Sequence, residues 1–142
     1  MKIKSGKTNY KRLIPFIEKV NENGGYAKFT ANGYMDLVIE NIGYNDFEGN
    51  PVYSIAHYGE MNGDAMRDPE ITFSVNEAEK SILPLSFRND YMGMNVEYFR
   101  NQNGRISYLS TWLHDGDQFL QTWTQNIIDQ GFTPERSLVL NW

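Results

Sequence analysis

Apolar residues recur every three to four positions near both ends of the chain and alternate with polar ones through its middle. Tyr10, Leu13, Ile14, Ile17 and Val20 fall on one face of a helix with Lys and Glu opposite, and Thr8 or Asn9 is placed to cap it. That run ends at Asn23-Gly24-Gly25, because glycine takes up the left-handed C-terminal conformation at little cost. Towards the other end, Phe119, Leu120, Trp123, Ile127 and Ile128 make a second stripe. Asp115 and Gln118 have the spacing of a capping box. Gly131 stops the helix, Phe132 can fold back on its last turn, and Pro134 prevents continuation.

Strand signals fill the interval. Residues 26–31 end in Asn32-Gly33, a pair suited to a tight hairpin. Residues 34–42 are rich in β-formers, and Val52, Ser54, Ala56 and Tyr58 alternate with Tyr53, Ile55 and His57 after the turn at Glu48-Gly49-Asn50. Residues 59–68, with Gly59, Asn62, Gly63, Asp64 and Asp68, read as a loop, and Pro69 opens a strand to Val75. Residues 83–87 and 92–99 read as two more strands joined through Arg88-Asn89-Asp90, and 106–113 as a last one. Connections this short require antiparallel pairing, since a parallel pair needs a crossover of about a dozen residues.

The pattern therefore predicts an α+β fold: an antiparallel sheet of five to seven strands with an N-terminal and a C-terminal helix packed on one face. Residues 1–142 are read as a single domain, with a helix at about 9–21, a strand meander at about 26–113, a helix at about 116–130 and a C-terminal tail at 133–142. Ile14, Ile17, Phe119, Trp123 and Ile127 are the expected buried side chains of the helices.

Composition changes this picture in three places. No cysteine is present, which excludes disulfide scaffolds, thiolate metal sites and cysteine nucleophiles. Aromatic residues are numerous, with nine Tyr, eight Phe and three Trp; they fit pleated surfaces, and any surplus at the surface suits a protein interface. The net charge of −5 is unevenly spread. Residues 1–28 hold seven basic against two acidic residues, whereas 36–79 hold ten acids against Arg67 alone. The only basic cluster is the first helix and the arm before it, which argues against direct nucleic-acid binding. No apolar run has the length of a membrane span, and a cytoplasmic location in a bacterial host is expected.

Three stretches stand together in order: His57-Tyr58-Gly59-Glu60-Met61-Asn62-Gly63-Asp64, Met66-Arg67-Asp68-Pro69-Glu70-Ile71-Thr72-Phe73, and the helix carrying Phe119, Trp123, Asn126, Gln130, Gly131 and Phe132. With the turn Asn89-Asp90-Tyr91-Met92-Gly93 between them, they resemble an uncharacterised family of small proteins carried by phages, plasmids and conjugative elements of Firmicutes. The resemblance covers roughly residues 35–132 and implies a context, a mobile genetic element, without a reaction.

The chemistry-bearing residues concentrate at His57, Glu60, Asp64, Asp68 and Glu70, with Arg88 further on. Oxygen-rich clusters hold Mg²⁺ or Ca²⁺ and a histidine can act as base, but the spacing is not that of an EF-hand loop, and turn chemistry alone accounts for the Gly, Asn, Asp and Pro. His114, before Asp115-Gly116-Asp117, is read as a loop histidine beside a helix cap. Arg88, Arg100 and Arg105 could grip a phosphate or carboxylate, or neutralise acids across strands. No nucleophile elbow, phosphate loop or zinc-ligand spacing occurs, so no catalytic residue, metal or cofactor is assigned.

The expected function is that of a non-enzymatic accessory protein of a mobile genetic element acting on a protein partner, in its sharpest form an inhibitor of a host defence nuclease of the anti-CRISPR type. The alternative is a small ligand-binding or hydrolytic domain whose site is built from His57, Glu60, Asp64, Asp68, Glu70 and Arg88.

Overall fold

The computed structural model describes residues 3–138, apart from the side chains of Glu60 and Leu138. Helix α1 (Gly6–Glu22) leads into strands β1 (Tyr26–Phe29), β2 (Leu37–Asn45), β3 (Pro51–Met61), β4 (Asp64–Asn76), β5 (Ser81–Asn89) and β6 (Met94–Glu97). A small hairpin, β7 (Phe99–Gln102) and β8 (Arg105–Tyr108), precedes helix α2 (Ser110–Asp129) and a short strand β9 (Ser137–Leu138). The main sheet has the order β6-β5-β4-β3-β2-β1-β9, with every neighbouring pair antiparallel. The expected α+β class and meander are thus present. The tail adds an edge strand beside β1, and residues 139–142 of it lie outside the described residues.

The core lies between one sheet face and both helices. Leu13, Phe16, Ile17 and Val20 of α1 meet Phe29, Ile39, Ile55, Ile71 and Phe73 of the strands, and Leu120, Trp123 and Ile127 of α2 close it. Strand alternation sends Tyr53, Ile55 and His57 to this side and Val52, Ser54 and Ala56 to the other. A second cluster, Leu83, Tyr98 and Leu113, seats the β7–β8 hairpin and the first turn of α2. Ile14 is only partly buried, and Phe119 is 41% exposed, contrary to the expectation that it belongs to the core. One residue of helical rotation decides this: Leu120 takes the inward position and Phe119 turns outward against Phe87.

Four boundaries differ from the sequence reading. The stretch 59–68 is a β-hairpin, because Asn62 and Gly63 both take positive φ and form the two-residue turn that continuous pairing from Tyr58↔Arg67 to Met61↔Asp64 requires. Conversely, Asn32-Gly33 sits in a longer connection between β1 and β2. Helix α1 begins at Gly6, before either expected cap. Asn9 instead lies wholly buried, its side-chain oxygen accepting a hydrogen bond from Thr124 Oγ1 of α2 at 2.9 Å. Helix α2 begins at Ser110, so 106–113 is half strand and half helix, and Asp115 is not a cap. The buried positions Leu113, Gly116, Asp117, Leu120, Trp123, Thr124 and Ile127 already run at helical spacing from Leu113.

Candidate functional site

The structure disperses the expected site. His57 points to the helix side, 9% exposed, with its ring centroid 5.5 Å from Trp123 and 5.8 Å from Phe132. Its Nδ1 lies 3.1 Å from the Asp36 carbonyl oxygen, which can only accept, so Nδ1 carries the proton. Asp64 is exposed at the hairpin tip. The Glu60 backbone pairs with Ala65 nearby, and its side chain lies outside the described residues. Asp68 accepts a hydrogen bond from Asn89 Nδ2 at 3.1 Å, tying β4 to β5. Beside it, Arg67 Nε and its backbone N–H donate to Asp90 Oδ2 at 2.9 and 2.8 Å, and the guanidinium holds the Asp90 carboxyl below the usual range. These residues organise a hairpin and its neighbouring turn. His114, expected in a loop, is an exposed residue within α2.

His57 gives a pH signature. Burial lowers its pKa below 6.5, against the opposing pull of the Asp36 and Met35 carbonyls and of the Asp68 and Asp36 charges. The unfolded chain therefore binds the proton first as pH falls, so stability should decline as pH drops from about 6.5 towards the folded-state pKa and level off below it. Denaturant unfolding measured between neutral and mildly acidic pH should show this slope, and His57→Gln, which keeps a donor for the Asp36 carbonyl, should flatten it.

Glu70 and Arg88 are the two expected site residues that come together. They are direct cross-strand partners on the sheet face away from the helices. On that face one register row crosses five strands as Glu40, Ser54, Thr72, Ser86 and Glu97, and the row beside it runs Val38, Ala56, Glu70, Arg88 and Asn95. A sheet face left to water is expected to be polar, but this one is partly roofed: Ser54 is only 3% exposed. Phe47, in the β2–β3 turn, and Phe99 of β7 meet at 5.0 Å and enclose a cleft of about 600 Å³ above the rows. Ser54 Oγ donates to Glu70 Oε2 at 2.9 Å, and the Thr72 and Ser86 hydroxyls are hydrogen-bonded to each other. The Glu40 carboxyl is raised, first by burial and then by the charge of Glu70.

A second candidate lies at the sheet's open edge, β6. Phe87, Met94, Val96, Trp112 and Phe119 line an apolar hollow of about 400 Å³ whose floor is Tyr98 packed on Gly116. Trp112 is 48% exposed, Met94 39% and the neighbouring Met92 68%. Sequence periodicity could not find this hollow, because Trp112 lay in a segment read as strand and Phe119 in a stripe read as core. The acids of residues 36–79 do not form one surface: Asp36 pairs with Lys28, and Glu77 accepts the Tyr10 hydroxyl beside α1.

Among the described residues no group of three or more acidic or histidine side chains is arranged to hold a metal ion, and no helix is long and apolar enough to cross a membrane. Residues 8–133 match a family model described as a domain of unknown function (DUF6908). No curated protein and no solved structure matches the chain.

Proposed function

The chain belongs to the DUF6908 family, a domain family of unknown function, and we propose that it is a protein-binding module whose partner lays an extended segment along the open edge of β6. The observation that carries this reading is the apolar hollow beside that edge, with Trp112, Met94 and Phe119 exposed around it. An edge strand offers a row of unpaired backbone groups, and a neighbouring pocket for alternate side chains gives such an added strand its specificity. Exposed Trp and Met are the side chains that anchor interfaces. Asp115 on the hollow and Glu97 at the end of β6 favour a partner segment that carries basic residues between its apolar ones.

Within this reading the domain serves a mobile genetic element, and the partner is a basic, nucleic-acid-binding protein of the host, such as a defence nuclease. Support comes from the resemblance carried by the His57–Phe73 and Phe119–Phe132 stretches and from the net charge of −5. Direct binding of nucleic acid is not part of it.

Selection from a library of extended peptides tests the docking mode. Enriched peptides should alternate apolar and basic residues, and Trp112→Ala should weaken them about tenfold, the loss of roughly 1.4 kcal/mol expected for a partly exposed anchor. Enrichment of peptides whose affinity ignores Trp112 and Met94, or whose amide shifts fall away from β6, would sink this reading.

A further inference from the structure

We infer that the cleft over the open sheet face binds a zwitterionic small molecule, an α-amino acid or short peptide with an aromatic or aliphatic side chain. This goes beyond the protein-binding reading and uses the other face of the sheet, with Glu97 at the end of β6 common to both.

Two guanidiniums line the cleft. Arg88 stands directly opposite Glu70 in register, yet no ion pair forms within 4 Å, and Glu70 accepts from Ser54. Arg100 reaches the same cleft from β7. Among the described residues neither guanidinium has an ion pair within 4 Å or a hydrogen bond, although the Arg88 charge also acts on Asp90, so two planar five-donor groups on one cleft keep their donors free. Guanidinium forks match a carboxylate or phosphate oxygen pair.

Asp46 lines the same cleft. In the β2–β3 turn, Asp46 Oδ1 accepts from the backbone N–H groups of Glu48 and Asn50 at 2.8 and 2.9 Å. Its other oxygen, Oδ2, is buried without a partner, and Asp46 lines the cleft. With no accessible surface, Oδ2 holds its charge beneath the cleft wall, and the exposed carboxylate that a ligand ammonium can contact is that of Glu97.

Charge then selects the ligand. Arg88 and Arg100 against Asp46, Glu70 and Glu97 leave the cleft with a single net negative charge. A phosphate dianion would meet three carboxylates. A molecule carrying both an ammonium and a carboxylate meets each charge with its opposite and brings no net charge of its own. Phe47 and Phe99 supply an apolar wall for a side chain, and the volume of about 600 Å³ lies within the range of small-molecule sites.

Titration of the full chain by amide-resolved NMR tests this, with L-phenylalanine and diphenylalanine as zwitterionic probes. Phenylpropionate, phenethylamine and phenyl phosphate carry one kind of charge each. The zwitterions should give saturable shifts at Phe47, Thr72 and Phe99, with the single-headed probes binding about tenfold more weakly, as loss of one charge-assisted hydrogen bond implies. A response to the dipeptide alone would identify a peptide ligand, and to both zwitterions a free amino acid. Arg88→Gln and Arg100→Gln should each weaken zwitterion binding about tenfold and leave phenethylamine unaffected. Asp46→Asn should weaken phenethylamine; Glu97→Gln, at an exposed position, serves the same purpose if the turn variant fails to fold. Absence of saturable shifts with the zwitterions, equal or tighter binding of phenyl phosphate, or binding indifferent to both arginine substitutions would overturn the assignment.

Discussion

Trp123→Ala should lower the stability of the domain by about 3–5 kcal/mol, the range for removing a large aromatic side chain from a packed core. Trp123 is 6% exposed and joins two elements, its own helix α2 and the buried His57 of β3, with Phe119 of the same helix 6.1 Å away in an edge-to-face arrangement. Its removal leaves a cavity walled by sheet and helix, which neither can close without moving. At the scaling of a domain of this size, the melting temperature should fall by roughly 10 °C. The same substitution lets water reach the His57 ring, so the lowered histidine pKa should return towards its ordinary value. Two independent readouts, calorimetric unfolding and an NMR titration of His57, therefore move together. A variant that melts near the native temperature would show that Trp123 does not pin α2 to the sheet.

Gly116→Ala should also destabilise, against the ordinary rule. In the interior of a helix, alanine is better than glycine by about 1 kcal/mol. Here a Cβ at position 116 would sit 2.4 Å from Cζ and 2.6 Å from the hydroxyl oxygen of Tyr98. Tyr98 is 7% exposed and held between Leu83 and Leu113, and burial, with the charge of Asp115, pushes its pKa up to about 12. The ring has little room to retreat. Overpacking of this kind costs about 1–3 kcal/mol and overrides the gain in helix propensity. The double variant with Tyr98→Leu, which removes the clashing ring atoms, should be less destabilised than the sum of the singles, because contacting positions couple by roughly 0.5–3 kcal/mol. A stabilised Gly116→Ala would mean that α2 and the β6–β7 corner are not packed as described. The hollow proposed as a docking surface would then be wrong too, since Tyr98 on Gly116 is its floor.

The two surfaces place different demands on the sequence. The hollow requires that Phe119 turn outward, while Leu120 and Trp123 turn inward. The stripe Phe119, Leu120, Trp123, Ile127, Ile128 is too wide to be buried whole, and Phe119 and Ile128 are the members left at 41% and 45% exposure. Periodicity marks the stripe, and packing chooses its centre. The cleft requires that residues distant in the chain share a register row. Ser54, Thr72, Ser86 and Glu97 are ordinary polar strand residues when read singly, and only the pairing of β3 through β6 makes them one continuous polar floor.

What the sequence determined by itself was local. The spacing of Leu13, Ile17 and Val20 specified α1, and Gly131 with Phe132 specified the end of α2, where Phe132 N–H bonds to the Ile127 carbonyl at 3.2 Å. The short connections specified antiparallel pairing through the meander from β1 to β6. Each of these depends on a few neighbouring residues, whose conformational preferences act over one turn of helix or one hairpin. Tertiary structure decided the rest. It sent His57 to the core and Glu70 to the opposite face, because successive side chains of a strand point to opposite sides and only the helices define which side is inside. It drew Asn9 and Asp117 into the buried contacts of the two helices, with Thr124 Oγ1 donating to Asn9 and the Ser5 N–H donating to Asp117 Oδ2 at 3.1 Å, where sequence rules place such residues at caps. It also left Arg88 without an ion pair to its cross-strand acid Glu70, which accepts from the Ser54 hydroxyl of the next strand. In each case a long-range neighbour supplied the deciding interaction, and no window of sequence contains it.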